Sequence, residues 1–269
     1  MTAWVLLRGL ARESRHWGPF PMTLAGVLGG GLGGSDGALA GTAPIITVDL
    51  PGSGRANQLR SPLTVPAIAA HCRAELRARG GSPPYRLFGL SLGAMVATAW
   101  AGIAPQEVER MVLVNTSMRP FSRFDERLRP RNYARLLRMA LLPHGDCTAE
   151  ERVLAMTSQR AADEAADVLT AWVAIRHSAP VSRANALCQL IAAARFIAPR
   201  AAPIPQVLLL TSARDALVST RCSQQLARAW HCRIASHPTA GHDLPLDDAL
   251  WVARQVQAWL AEVDQGQAG

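Results

Sequence analysis

Ser91 is the first residue whose setting suggests chemistry. It stands in Gly89-Leu90-Ser91-Leu92-Gly93, a G-x-S-x-G pattern. A serine held in a sharp strand-to-helix turn projects its hydroxyl clear of the backbone, where a base and a carbonyl carbon can both reach it. Gly89 and Gly93 keep side chains out of that crowded bend. The flanks suit the turn: Arg86-Leu87-Phe88 reads as a strand, and Ala94 to Trp100 as a buried helix. The same turn puts the Leu92 backbone N–H at a helix start, aimed at an oxyanion formed on attack. Gly33-Gly34-Ser35-Asp36-Gly37 matches the pattern too, but Ser35 has neither flank. Gly29, Gly31 and Gly34, followed by Asp49, imitate a dinucleotide-binding fingerprint, yet Gly37, Gly41 and Pro44 leave no room for the helix such a motif needs.

A serine hydroxyl is a poor nucleophile until a neighbouring base takes its proton. Of the seven histidines, His242 is best placed, in Thr239-Ala240-Gly241-His242-Asp243-Leu244-Pro245. This segment follows the last apolar strand and precedes the final helix, so a loop can bring imidazole over a sheet edge. His237 reads as a hydrogen-bonded loop residue, and His16 and His71 as structural. The base in turn needs a carboxylate to fix its tautomer and stabilise its charge. Asp215 closes Val207-Leu208-Leu209-Leu210-Thr211-Ser212-Ala213-Arg214-Asp215, after a strand and about one helix plus one strand before His242. Asp243 adjoins His242 and cannot easily fold back onto its neighbour's ring; Asp247 and Asp248 read as caps of the last helix.

Short apolar runs at Ala3–Leu7, Ile45–Asp49, Arg86–Phe88, Met111–Val114, Gln206–Leu210 and Arg233–Ser236 have the length of buried strands. Helical patterns at Val65–Arg79, Leu92–Ile103, Thr220–Trp230 and Asp247–Glu262 alternate with them. The expectation is an α/β fold with a mostly parallel sheet flanked by helices. Residues 118–199 lack a convincing strand and carry helical patterns such as Tyr133, Leu136, Leu137, Ala140, Leu141. They are expected to form a helical lid inserted in a core of residues 1–117 and 200–269. Gly26 to Gly41 reads as a flexible loop.

The chain has 269 residues, 49% hydrophobic and 18% charged, enough apolar material for one large core. All 28 basic residues are arginine, against 20 acidic ones, a net charge of +8. The absence of lysine excludes a Schiff-base lysine, a phosphate-loop lysine and a serine–lysine dyad. No nucleic-acid-binding module is recognisable. Five scattered cysteines make no metal-ligand spacing and suggest a reducing compartment, hence the cytoplasm. No metal or cofactor is implied. The uncharged stretch from Leu87 to Gln106 reads as strand, turn and helix rather than a membrane span. Seven arginines between Arg119 and Arg138 read either as a solvated face or as a docking surface for an anionic carrier.

The order Ser91, Asp215, His242 resembles that of the α/β-hydrolase superfamily. Val48-Asp49-Leu50-Pro51-Gly52-Ser53-Gly54-Arg55 is similar to that family's strand-end D-x-P-G-x-G-x-S loop. Leu6-Leu7-Arg8-Gly9-Leu10, with Trp17 beyond, is similar to its oxyanion-loop strand. The resemblance implies a serine hydrolase cleaving a small-molecule acyl ester through an acyl-enzyme, with the Leu10 and Leu92 amides as oxyanion hole. Thioester hydrolysis or acyl transfer from acyl carrier protein or coenzyme A uses the same triad, and a non-catalytic binding protein could keep the fold. One departure stands out: Arg8 occupies the place of the family's usual histidine, where it would either bring a cation to the pocket mouth or face solvent.

Overall fold

The structure is a computed structural model that describes residues 2–29, 43–141 and 145–267. In chain order its elements are β1 (Ala3–Leu7), α1 (Phe20–Leu28), β2 (Ile45–Val48), α2 (Val65–Ala78), β3 (Tyr85–Leu90), α3 (Leu92–Ile103) and β4 (Val108–Val114). Among the described residues, five helices follow without a strand: α4 (Phe124–Arg127), α5 (Tyr133–Leu141), α6 (Asp146–Thr157), α7 (Ala162–Ser178) and α8 (Arg183–Arg195). The chain then returns through β5 (Val207–Ser212), α9 (Thr220–Trp230), β6 (Arg233–His237), α10 (Leu244–Asp247) and α11 (Ala249–Gln267). The six strands form one sheet in the order β2-β1-β3-β4-β5-β6, and every pairing is parallel.

Period-two alternation explains the layering, because successive strand residues point to opposite faces. On one face Val5, Leu7, Leu87, Val207 and Leu209 join the buried side chains of α2, α3 and α9, among them Ile68, Trp100 and Leu226. On the other, Trp4, Leu6, Phe88, Leu208 and Leu210 pack with Leu24 of α1 and Val252, Val256 and Trp259 of α11. A sheet covered on both sides needs apolar residues at nearly every strand position, which is why these strands are continuous hydrophobic runs.

The chain leaves β1 outward to β2 and comes back to β3 on the other side of β1. The reversal opens a crevice at the carboxyl ends of β1 and β3, the place where open α/β sheets bind ligands. Leu10 follows β1 and Ser91 follows β3.

Two expectations need correction. The glycine-rich stretch does not begin as a loop: α1 runs through Gly26 to Leu28, held by the burial of Leu24 and Val27 against α11. Tertiary packing outweighs the helix penalty of one glycine. The glycines from Gly30 onward, Gly31 and Gly34 among them, and Ser35 lie outside the described residues. The final helix is broken at Asp248, whose carboxylate accepts the Trp251 N–H (2.9 Å) and starts α11 afresh.

Candidate active site

Ser91 occupies the turn between β3 and α3 with φ 55° and ψ −112°, a backbone conformation that L-residues rarely adopt. The glycines around it are steric necessities. A Cβ on Gly93 would lie 2.0 Å from the Leu7 carbonyl oxygen, and one on Gly89 would lie 2.5 Å from the Gly93 backbone. Helix α3 therefore starts in contact with the end of β1. A Cβ on Gly9 would meet Ser91 Cβ at 3.5 Å, so the loop after β1 runs directly past the serine. Leu92 is the first residue of α3, and its N–H is one that a helix leaves without an intrahelical acceptor.

His242 and Asp215 meet across the fold: imidazole Nδ1 lies 2.7 Å from Asp215 Oδ2, and both side chains are buried. Asp215 Oδ1 accepts the N–H groups of Leu217 (2.8 Å) and Val218 (2.9 Å), so the carboxylate is oriented from behind. Burial works against the imidazolium. The charge and hydrogen bond of Asp215, helped by Asp243, outweigh it and hold His242 above the ordinary histidine range.

Asn115, not among the residues expected from sequence, links histidine and serine. Its Nδ2 donates to the carbonyls of His242 (2.8 Å) and Gly241 (3.2 Å) and to Ser212 Oγ (2.9 Å), and its Oδ1 accepts the Ser212 N–H (2.9 Å). One residue earlier, the Val114 carbonyl accepts the Ser91 N–H (2.9 Å). Thr116 Oγ1 then donates to the Ser91 carbonyl (3.2 Å). The end of β4 thus fixes the serine turn and the histidine loop together. An asparagine closing an apolar strand was the available signal.

Arg8 neither reaches a pocket mouth nor faces solvent, contrary to both readings of the sequence. It is 3% exposed, its guanidinium 4.7 Å from the Trp17 ring centre, and its two terminal nitrogens donate to the two oxygens of Asp243 at 3.0 and 2.6 Å. Asp247 is no helix cap either. It accepts hydrogen bonds from Gly241 N–H (2.6 Å), Ser158 Oγ (2.5 Å) and Gln159 N–H (3.0 Å), tying the histidine loop to the end of α6. Burial raises its carboxyl above the usual range, while those donors pull the other way. His237 behaves as expected: Nδ1 accepts the N–H groups of Thr239 (3.2 Å) and Ala240 (2.9 Å). His16 is buried beside Trp172, its protonated form disfavoured by burial and by Arg12 and Arg8.

The arginines between Arg119 and Arg138 have divided fates. Arg127 donates to the Ala193 (2.6 Å) and Ala194 (3.0 Å) carbonyls at the end of α8. Arg129, Arg131 and Arg135 instead line a cavity of about 500 Å³ with Asn132, Gln159, Arg214 and Asp215. Among the described residues, no three or more His, Cys, Asp or Glu side chains gather as a metal site, and no helix is long and apolar enough to cross a membrane.

A parallel sheet with a serine turn at its switch point and a His–Asp pair on the following loops defines the class. The chain belongs to the alpha/beta hydrolase family, whose model matches residues 4–255. No curated protein matches it by sequence. A candidate non-heme bromoperoxidase, BpoC, from Mycobacterium tuberculosis H37Rv superposes with a TM-score of 0.74 at 22% identity, covering 98% of this chain and 93% of the other. An esterase from Thermogutta terrifontis gives 0.71 at 19%, covering 98% and 90%. An enol-lactonase from Burkholderia xenovorans LB400 gives 0.71 at 17%, covering 97% and 92%. Likeness at these identities establishes the fold alone.

Proposed function

We propose that the protein is a serine hydrolase that cleaves a carboxylic ester of a small molecule through an acyl-enzyme. Ser91 Oγ attacks the carbonyl carbon while His242 Nε2 takes the hydroxyl proton, and Asp215 stabilises the imidazolium through Nδ1. The Leu10 and Leu92 amides receive the oxyanion of the tetrahedral intermediate. Its collapse breaks the bond to the leaving oxygen, which takes the proton from His242. Water then repeats the sequence on the acyl-enzyme: His242 removes a proton from it, and the second collapse returns a proton to Ser91 and frees the acid. The observation that supports this reading most is the 2.7 Å His242–Asp215 bond on a loop suspended from the same strand end as the strained Ser91 turn.

The helices between β4 and β5 serve in this reading as a lid over residues 118–199. Their bonds from Ser158 and Gln159 to Asp247 set the lid against the histidine loop. The five unpaired cysteines suit a reducing cytoplasm.

A second reading, hydrolysis or transfer of an acyl thioester on coenzyme A or acyl carrier protein, is favoured by the arginine-lined cavity. Four guanidinium-bearing residues face one space in which, among the described residues, Asp215 is the sole carboxylate, and it is engaged by His242. Turnover of p-nitrophenyl esters and of acyl thioesters of matched chain length, at rising salt, separates the two. Ester hydrolysis indifferent to salt supports the first. A thioester preference that falls steeply with ionic strength supports the second. Failure to turn over either substrate overturns both.

A further inference from the structure

Arg8 is the first residue after β1, and Leu10 lies two residues beyond it; Asp243 immediately follows His242. The two side chains therefore join the strand end carrying one candidate oxyanion donor to the loop carrying the candidate base. The joint is a fork on a fork: two parallel hydrogen bonds of 3.0 and 2.6 Å fix relative orientation as well as separation. Trp17 supports the guanidinium from its face, and the Asp243 N–H donates to the Thr157 carbonyl at the end of α6 (2.7 Å). Both partners are buried. A buried ion pair is a poor choice for stability alone, since apolar residues of similar volume are often as good or better.

We propose that the Arg8–Asp243 pair is a positioning device for the reaction, setting the spacing between the Leu10 amide and the His242 imidazole. The proposal rests on the serine-hydrolase reading above. The charges facing His242 come from Asp215 after β5, Asp243 on its own loop and Arg8 after β1, with Asp247 of α10 bonded to the adjacent Gly241. Arg8 opposes the imidazolium and Asp243 favours it, so the pair holds geometry while its two electrostatic effects oppose each other.

Three variants test this, each assayed for melting temperature and for kcat and KM on a p-nitrophenyl ester across pH. Arg8→Met with Asp243→Leu removes both charges. The expected result is a melting temperature close to the parent and kcat lower by roughly 10–100-fold, with KM changed little, because displacements near 1 Å cost about 100-fold. Arg8→Lys keeps the charge but loses the fork, and should fall between parent and double variant. Asp243→Asn should move the acid limb of the rate profile to lower pH. Parent-like kcat in either the double variant or Arg8→Lys would leave the pair a structural tie and overturn the proposal. Because the double variant could fail to fold, Arg8→Lys is decisive by itself. If the parent turns over neither esters nor acyl thioesters, the hydrolase reading fails, and the pair is judged instead by the His242 Nδ1–H resonance in ¹⁵N-histidine-labelled protein. Broadening or displacement of that resonance in Arg8→Lys supports positioning, and an unchanged resonance overturns it.

Discussion

At the scale of residues, the site depends on how His242 is charged and held. Its raised pKa has two consequences of opposite sign. Activity requires neutral imidazole, so kcat/KM should fall as pH drops through a value above about 6.5, the ordinary histidine value. Stability responds the other way. The contribution of the charged pair is fully present below the unfolded value and is lost as pH rises through the raised one. A pH–rate profile alongside melting temperatures should show the two moving in opposite directions; an acid limb below the ordinary value would contradict the assignment. Asn115→Ala tests the suspension of the histidine loop. It leaves the buried Gly241 and His242 carbonyls without their donor and puts alanine at φ 45°. We expect a loss of about 2–4 kcal/mol in chemical denaturation, and a lower kcat, from unmet hydrogen bonds and an unfavourable backbone region. Ser91 and its glycines were legible in the sequence because a tight turn is a local event. The Arg8–Asp243 pair was not. Its partners are 235 positions apart, and only the closed sheet shows that they touch.

At the scale of elements, the decisive contact is between the start of α3 and the end of β1. Gly93→Ala forces a methyl group onto the Leu7 carbonyl oxygen, backbone against backbone, where no rotamer change gives relief. Overpacking of this kind costs about 1–3 kcal/mol or more. The variant should therefore melt at lower temperature and lose activity beyond its unfolded fraction, because the Ser91 turn moves with α3. Parent-like melting and turnover would show that the two elements tolerate separation. Strand identities could be read from sequence because continuous apolar runs mark a sheet covered on both faces. Element ends were less legible. Asp247 looked like a cap by its position, but a partner beyond its own helix claims it, and Asp248 starts α11 instead.

At the scale of the molecule, the helical segment between β4 and β5 is tied to the core by polar side chains as well as apolar ones. Glu150 of α6 accepts from Arg12 (2.5 Å) and Arg176 (3.1 Å), while the Arg12 guanidinium lies 4.1 Å from the Trp172 ring centre. Gln189 of α8 accepts the Ala11 N–H (2.8 Å) and donates to the Pro51 carbonyl (3.2 Å), joining that helix to the loops after β1 and β2. Glu150→Gln should destabilise the fold by about 3–5 kcal/mol, because it leaves Arg12 buried without its counter-charge. Thermal unfolding measures this; a change under about 0.5 kcal/mol would mean that the segment is held by its apolar contacts alone. The sequence marked this block as helical by its missing strands. It could not show which arginines fold inward, since Arg127 and Arg135 differ only in what the tertiary structure brings near them.

The central claim is that Ser91 is the activated nucleophile, and covalent labelling tests it most directly. A fluorophosphonate probe, read by intact mass and peptide mapping, should add one phosphonyl group to the protein at Ser91. Ser91→Ala should keep the parent melting temperature and take up no label. An unlabelled parent protein, or a Ser91→Ala variant that still labels fully, would contradict the account.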